Sequence, residues 1–387
     1  MHRRTRPHLI LPLACTALLG LPIAARAQAP ATAAPGWQAC AALATDGAAR
    51  LACFDRWAGQ QATPPTLAAS AAVPARPAPA VAAARQGPAP VIINLTTQEG
   101  CKNQAFSDFS RFWELESGSD CGTFGIRGYR PLSLSVARGS SVNDQPGSPS
   151  AANNAASPVN YSRTETRVQL SVRTKIAKDI LTGNHPRLKD SLWFAYSQQS
   201  YWQLFTKSLS RPFRSTDHEP EVIYTYPTEA DLPGGWQLRY TGVGMVHQSN
   251  GQSLPLSRSW NRAYLMAGAE NGSSLRVMGR IWRRVPESNG TDDNPDISNY
   301  VGRAEITGYW NPNQDNMLGV TVRHSLRADK RGSVRLEWFK TLGNGDDTRN
   351  LSGLRLHTQI FSGYGDTLLD YNKRRTVLNV GLSLVDW

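Results

Sequence analysis

Long apolar runs are absent from this sequence of 387 residues beyond its first 27. Charged residues are spread along the rest of the chain, so no stretch of about 20 apolar residues is available for a membrane-spanning helix. This absence excludes a helical membrane protein. An exported soluble protein and a membrane β-barrel both remain open, because barrel strands give a much weaker hydropathy signal.

The signatures of several other protein classes are also missing. The sequence has no glycine-rich phosphate loop, no zinc-ligand spacing and no basic surface interleaved with aromatic residues. We therefore expect no nucleic-acid partner. The net charge of +12, from 42 Lys+Arg against 30 Asp+Glu, is better explained by charge inside the fold and by contact with anionic lipid headgroups.

Residues 1–27 have the organisation of a secretory signal peptide. The segment from Met1 to Arg6 is basic, the segment from Leu9 to Ala25 is mostly apolar, and Ala25-Arg26-Ala27 fits a small-x-small cleavage site. We expect cleavage before Gln28 and an exported mature protein without a lipid anchor.

Cysteine is scarce, with five in the whole chain. In an exported protein the four that follow the signal peptide predict two disulfides. Proximity pairs Cys40 with Cys53 and Cys101 with Cys121 most simply, although the sequence alone does not fix the connectivity. A metal site is less well supported, because neither pair has tight ligand spacing or a neighbouring histidine.

Composition divides the mature chain into four segments. Residues 28–60 form a small cysteine-containing segment, and residues 61–98 form an Ala/Pro-rich linker, for which a spacer role is expected. Residues 99–122 precede the main domain, with a short amphipathic helix predicted at 106–115. The main domain covers 123–387.

Apolar and polar residues alternate through the main domain, as in Val168, Gln169 and Leu170. A period of two indicates strands with one apolar and one polar face. We count about twelve such segments of about ten residues, separated by turn residues, and the chain ends on an aromatic residue, Trp387. The prediction is an all-β fold, a twelve-stranded antiparallel transmembrane up-and-down β-barrel with a periplasmic N-terminal extension.

That topology assigns each connection to one end of the barrel. The connections at 206–220, 250–258 and 285–298 would lie at the extracellular end, and those at 182–190 and 228–235 at the periplasmic end.

His247 and Ser249 form a candidate catalytic pair. Residues two apart on a strand point to the same face a few ångströms apart, so the imidazole can reach the hydroxyl. Their face also carries Val243 and Met245, so it is the lipid-facing one, where such a pair has little structural purpose. The other histidines of the mature chain are interpreted as surface, turn or lumen residues: His185, His218, His324 and His357.

Asn261 is the predicted third member of the site. It begins the apolar face of the following strand, and a hairpin closed by the 250–258 loop brings it beside His247. Its amide can accept the imidazole N–H, a role that aspartate usually plays. A neutral group also avoids placing a carboxylate against hydrocarbon. The expected site is a Ser–His–Asn triad on the outside of the barrel, at the level of the outer leaflet.

Several motifs of the main domain together match one known family. They are His247-Gln-Ser-Asn-Gly251, Ser257-Arg-Ser-Trp-Asn-Arg262, Ser210-Arg-Pro-Phe-Arg214 with Glu219-Pro220, Thr291-Asp-Asp-Asn-Pro-Asp296, and Phe361-Ser-Gly-Tyr-Gly-Asp366 with Asp370-Tyr-Asn372. In these motifs the chain resembles the outer-membrane phospholipase A family, from about residue 123 to the C-terminus.

The resemblance implies a calcium-dependent homodimer in the bacterial outer membrane. It implies hydrolysis of the sn-1 and sn-2 acyl esters of membrane phospholipids and lysophospholipids, that is, phospholipase A1 and A2 activity. Ser249 would be the nucleophile, His247 the general base and Asn261 the residue that orients it.

The resemblance also implies a calcium site and a dimer contact. The backbone carbonyl of Gln252 and the hydroxyl of Ser257 would bind Ca²⁺, completed by Ser210 of the partner subunit, and a second, monomer-type site would use Asp293. Gln198, on the lipid-facing side of its strand, would lie across the dimer interface.

Two positions depart from the family pattern. The family often has arginine and aspartate where this chain has Gln252 and Leu254. A carbonyl ligand tolerates the first change. Loss of the acidic group at 254 points to weaker calcium binding, particularly in the monomer.

Three other interpretations stay open. A soluble β-protein would also show alternating apolar and polar residues, but its strands would be shorter than the segments of about ten residues seen in this sequence. A non-catalytic barrel, such as a small porin or channel, explains the strands but not the clustering of His247, Ser249 and Asn261, and a lumen formed by twelve strands should be largely filled by charged side chains. A family member that has lost activity would be explained by Leu254.

Overall fold

The computed structural model describes residues 39–40, 42–43, 46–61, 100–288, 290–343 and 353–384. The chain divides into two compact units, residues 1–89 and 90–387. In the first unit, helix α1 (Gly47–Gln61) carries one half of the Cys40–Cys53 disulfide. The predicted signal peptide at 1–27, the predicted linker at 61–98 except for Gln61, and Trp387 lie outside the described residues.

Thirteen strands among the described residues form one antiparallel sheet. They are β1 (Ile126–Gly128), β2 (Leu132–Gly139), β3 (Thr164–Lys178), β4 (Ser191–Trp202), β5 (Ser215–Leu232), β6 (Trp236–Ser249), β7 (Ser259–Asn271), β8 (Leu275–Val285), β9 (Ala304–Asn313), β10 (Asn316–His324), β11 (Gly332–Thr341), β12 (Leu354–Gly363) and β13 (Arg375–Leu384).

Twelve of these strands close into a barrel. Each strand from β2 to β12 pairs with the next along the chain, and β13 pairs back with β2. The short β1 pairs with β3 beyond the end of β2, so β1 and β2 lie along the same neighbour. Pro131, which has no N–H to donate to the ladder, lies between them. The predicted twelve-stranded up-and-down barrel is confirmed.

Strand ends differ from the predicted connections at four of five places. The β6–β7 connection is 250–258 as predicted, but β5 begins at Ser215 and continues to Leu232. Polar residues that resemble a loop in sequence are paired in these ladders, as Asp231 is with Gln237. The connections 203–214 and 286–303 lie at the same end of the barrel as 250–258, and this end is called the loop end. The connections 179–190 and 233–235 lie at the opposite end, which is called the turn end.

Apolar side chains cover the outside of the barrel, while polar side chains point inwards. Met245 and Leu265 are 62% and 60% exposed, whereas Arg167 and Lys175 are buried in the lumen. This is the arrangement of a wall that faces hydrocarbon rather than water. No helix among the described residues is long and apolar enough to cross a membrane.

The lumen is filled by aromatic packing as well as by charge, which departs from the expected charged interior. Helix α2 (Asp108–Trp113) lies at the turn end, where Phe109, Phe112 and Trp113 are buried. They pack in one cluster with lumen-facing residues of the strands and with residues beside them: Tyr129, Trp193, Ala195, Ile223, Tyr240, Tyr264 and Met266. Farther along the lumen, Arg323 pairs with Glu305 at 2.7 Å and Arg280 with Glu221 at 3.2 Å.

Glu114, which ends α2, ties this helix to the barrel wall. Its carboxylate is fully buried and pairs with Arg127 at 2.5 Å and with Lys175 of β3 at 2.6 Å. It also accepts the Cys121 N–H at 2.8 Å, next to the Cys101–Cys121 disulfide. Both disulfides suggested by proximity are therefore formed.

The buried Glu114 network predicts a large loss of stability on truncation. Glu114→Ala removes the carboxylate that Arg127 and Lys175 share, leaves Lys175 paired with Asp120 alone, and should lower the free energy of unfolding in detergent by about 3 kcal/mol. Urea titration monitored by tryptophan fluorescence measures this. Glu229→Ala removes the exposed ion pair with Arg187, which water screens, and should change the free energy of unfolding much less. Equal losses in the two variants would contradict the role given to Glu114.

Candidate functional site

The pairing of β6 with β7 brings His247 and Asn261 together. The two residues are directly opposite in the ladder, and the Nδ1 atom of His247 lies 2.9 Å from the Oδ1 atom of Asn261. Both side chains are on the outward face, which Val243 and Met245 also occupy. The geometry fits an amide oxygen that accepts the imidazole N–H and leaves Nε2 available as a base.

Ser249, the last residue of β6, is two residues from His247 on the same face. It lies opposite Ser259 in β7 and opposite His218 in β5. A hydroxyl, an imidazole and an amide thus lie side by side on the outer surface of the barrel, near the loop end. Such a set is suited to acyl transfer, in which the imidazole takes the proton of an attacking hydroxyl.

His218 is a neighbour of Ser249 that the sequence analysis did not single out. Its Nδ1 lies 2.7 Å from the hydroxyl of Tyr196, and its Nε2 faces Gly251, 3.4 Å from where a Cβ on that glycine would lie. Gly251 has a φ of +61°, which favours glycine and lets the backbone turn beside the serine. The sequence signal was hidden because residue 218 was assigned to a loop rather than to β5.

Glu287 was also missed, because it follows β8 in a connection whose path no periodicity predicts. Its Oε1 accepts a hydrogen bond from Nδ2 of Asn261 at 3.2 Å. Burial raises the pKa of the Glu287 carboxyl, against the lowering effect of the Arg284 guanidinium and of the Asn261 hydrogen bond.

Ser257 and Asp293, two of the expected calcium ligands, lie together at the loop end. The Ser257 hydroxyl donates to the Asp293 carboxylate at 2.7 Å. The Nδ2 atom of Asn153 donates to the other Asp293 oxygen at 3.0 Å and to the Ser257 carbonyl at 2.9 Å. Carboxylate, hydroxyl and carbonyl oxygens are the donors that Ca²⁺ prefers, so this set fits the ion.

Gln252 and Ser210 lie on neighbouring connections. The Gln252 side chain donates to the Arg214 carbonyl at 3.1 Å, which joins the 250–258 loop to the end of the 203–214 connection. The Ser210 hydroxyl donates to the Lys207 carbonyl at 3.1 Å. The role of Ser210 as a calcium ligand for the partner subunit stays a prediction.

Gln198 lies on the outward side of β4 and is hydrogen-bonded within the chain. Its Oε1 accepts from the Tyr196 hydroxyl at 3.0 Å, and its Nε2 donates to Ser200 at 3.2 Å. Tyr196 therefore links Gln198 to His218. The role of Gln198 at a dimer interface stays a prediction.

A family model described as phospholipase A1 matches residues 109–384. The chain belongs to the phospholipase A1 family. The match begins within α2, so the family domain includes the helix in the lumen as well as the barrel.

Individual members of the phospholipase A1 family cover most of the chain. A Neisseria meningitidis serogroup B protein, described as a candidate phospholipase A1, is 33% identical over 365 residues, 90% of each chain. Outer membrane phospholipase A from Escherichia coli, solved with an active-site asparagine replaced by alanine, is 30% identical with a TM-score of 0.58, covering 69% of this chain and 94% of that one. The calcium-bound outer membrane phospholipase dimer of Salmonella typhi is 30% identical with a TM-score of 0.57, covering 68% and 93%.

The two histidines beside Ser249 can be distinguished by chemical labelling. A fluorophosphonate reacts with an activated serine, so His247→Ala should slow labelling of Ser249 by at least about 100-fold. His218→Ala should slow it by less than about 10-fold, because Asn261 orients the ring of His247 and not that of His218. Mass spectrometry locates and quantifies the label. A larger effect of His218→Ala would identify His218 as the base.

Proposed function

We propose that this protein hydrolyses the acyl esters of glycerophospholipids in the outer leaflet of the bacterial outer membrane. Membership of the phospholipase A1 family supports phospholipid hydrolysis. The observation that carries the fuller proposal is the row formed by Ser249, His247 and Asn261 on the outward, apolar face of the barrel. A serine hydrolase site in that position meets its substrate within the lipid layer.

The residues of the row have complementary tasks. Ser249 Oγ attacks the ester carbonyl carbon while His247 Nε2 takes its proton, and the imidazolium returns that proton to the leaving glycerol oxygen. Water then releases the fatty acid from the acyl-serine with His247 again acting as the base. Asn261 accepts from His247 Nδ1 in both steps and holds the ring in place.

The surface next to this row suits an acyl chain. An open apolar depression on the outside of the barrel is lined by residues such as Val243, Met245, Leu265 and Ile281. A chain lying there keeps the ester at the level of Ser249 and leaves the headgroup at the polar loop end. We propose that sn-1 and sn-2 esters and lysophospholipids are all substrates, because the apolar depression is open and can take an acyl chain from either glycerol position.

Calcium and a second subunit complete the proposal. Gln252 and Ser257, together with Ser210 of the partner subunit, would hold the Ca²⁺ that would supply electrostatic stabilisation of the oxyanion. Asp293, which accepts the Ser257 hydroxyl, would belong to the second, monomer-type site. The calcium-bound dimer of the Salmonella typhi relative supports calcium binding and dimerisation. Gln198 is the proposed contact between the two copies.

The filled lumen argues against the alternative that this barrel is a channel. Helix α2 and the aromatic cluster around it fill the lumen at the turn end. Farther along the lumen, ion pairs occupy the space. An inactive member of the family is the other alternative. Leu254, which stands where the family often has an acidic group, is exposed on the 250–258 loop and would be the residue that explains such a loss.

Ser249→Ala tests the nucleophile. Release of fatty acid from phosphatidylcholine in mixed micelles with calcium should fall by at least about 1,000-fold, because no acyl-serine can form. Ser362→Ala, a substitution on the outside of β12, should leave the rate unchanged. Folding is checked by heat-modified gel mobility. No turnover by the folded wild-type dimer would support an inactive member, and turnover by Ser249→Ala would refute the assigned nucleophile.

Asp293→Asn tests the calcium site. Removing one negative charge from an oxygen-ligand site should raise the calcium concentration for half-maximal activity about tenfold or more, with little change in the rate at saturation. Asp329→Asn, at the same end of the barrel but exposed, serves as the control. An unchanged calcium dependence in Asp293→Asn would remove that residue from the site.

A further inference from the structure

Glu287 occupies a defined position relative to the proposed catalytic row. The register continues from His247 in β6 through Asn261 in β7 to Val285 in β8, so the three lie side by side across the sheet. Glu287 is two residues beyond Val285, on the 286–303 connection. Strand pairing therefore brings the start of this connection beside Asn261, and the path of the connection places the Glu287 carboxylate against the amide.

The chemistry of an amide makes this contact informative. One end of the Asn261 side chain accepts hydrogen bonds and the other end donates them, and only the oxygen can accept from Nδ1 of His247. An ionised carboxylate only accepts, so the NH₂ group must face Glu287. The Asn261 oxygen lies 2.9 Å from His247 and its nitrogen 3.2 Å from Glu287, so both ends of the amide are held with the oxygen towards the imidazole.

An ordinary ion pair does not account for the position of Glu287. Arg284 is the nearest cation, but its guanidinium lies 4.0 Å from Glu287 while it binds Asp292 at 2.6 Å. The Glu287 side chain is only 18% exposed. The Glu287 carboxylate is thus mostly removed from water. Arg284 attracts it from 4.0 Å, while the amide of Asn261 donates a hydrogen bond to it at 3.2 Å.

We propose that Glu287 is a positioning residue that fixes the orientation of Asn261 and, through it, that of His247. This inference rests on the proposed function of the row. The Asn261 side chain separates the negative charge of Glu287 from the imidazole of His247. From there the charge polarises the Asn261 amide and stabilises the imidazolium that forms during attack. The carboxylate stays at the polar loop end, while a neutral group occupies the face that meets lipid.

Three substitutions of Glu287 separate this role from a general effect on the loop. Glu287→Ala removes the acceptor and should lower kcat for phosphatidylcholine in mixed micelles about tenfold, with KM changed less than about twofold. Glu287→Gln keeps an oxygen acceptor and should retain at least about a third of wild-type kcat. Glu287→Lys presents a donor to Asn261 and should lower kcat at least as much as Glu287→Ala. Asp329→Ala, with the same change of charge on an exposed loop, is the control.

A double-mutant cycle with Asn261→Ala provides the decisive measurement. If Glu287 acts only through Asn261, then Glu287→Ala should have no further effect on kcat in the Asn261→Ala background. The rate of fluorophosphonate labelling of Ser249 should follow the same pattern. Additive effects, or wild-type kcat in Glu287→Ala, would overturn the proposal. Those outcomes leave the proposed function intact, because its failure is detected separately, as absence of turnover by the wild-type protein.

Discussion

The hydrogen-bonded register between β6 and β7 is the constraint on which the site depends. Side chains alternate between the two faces of a strand, so a slip of one residue would turn His247 into the lumen while Asn261 stayed outside. The 250–258 connection fixes this register, because Asn250 and Arg258 are hydrogen-bonded across its base. The same connection carries Gln252 and Ser257, so one hairpin sets both the proposed catalytic row and part of the expected calcium site.

Packing inside the barrel supports the same hairpin from the other face. Gly244 of β6 lies against the ring of Tyr264 of β7, where an added Cβ would come within 2.2 Å of ring atoms. The neighbouring ring of Tyr240 packs edge-on against Phe109 of α2. The helix at the turn end is therefore packed against the strands that carry the candidate site, and the family match includes it.

Polar groups on the apolar wall are satisfied by one another. Tyr196, Gln198 and His218 form one chain of contacts on β4 and β5, and His247, Asn261 and Glu287 form a second across β6, β7 and the end of β8. Ser249 lies between the two. In a setting where water is scarce, each such group needs a protein partner. The proposed nucleophile thus stands between two hydrogen-bonded networks.

The sequence by itself determined the twelve alternating strands, the hairpin that joins His247 to Asn261 and the face they share. These features follow from local periodicity and from one short connection. Only the tertiary structure decided that α2 fills the lumen, that His218 belongs to β5 beside Ser249, and that Asp293 meets Ser257. It also decided that Glu287 reaches Asn261. These contacts join residues far apart in the chain, and loops have no period, so they depend on barrel closure and on the path of each connection.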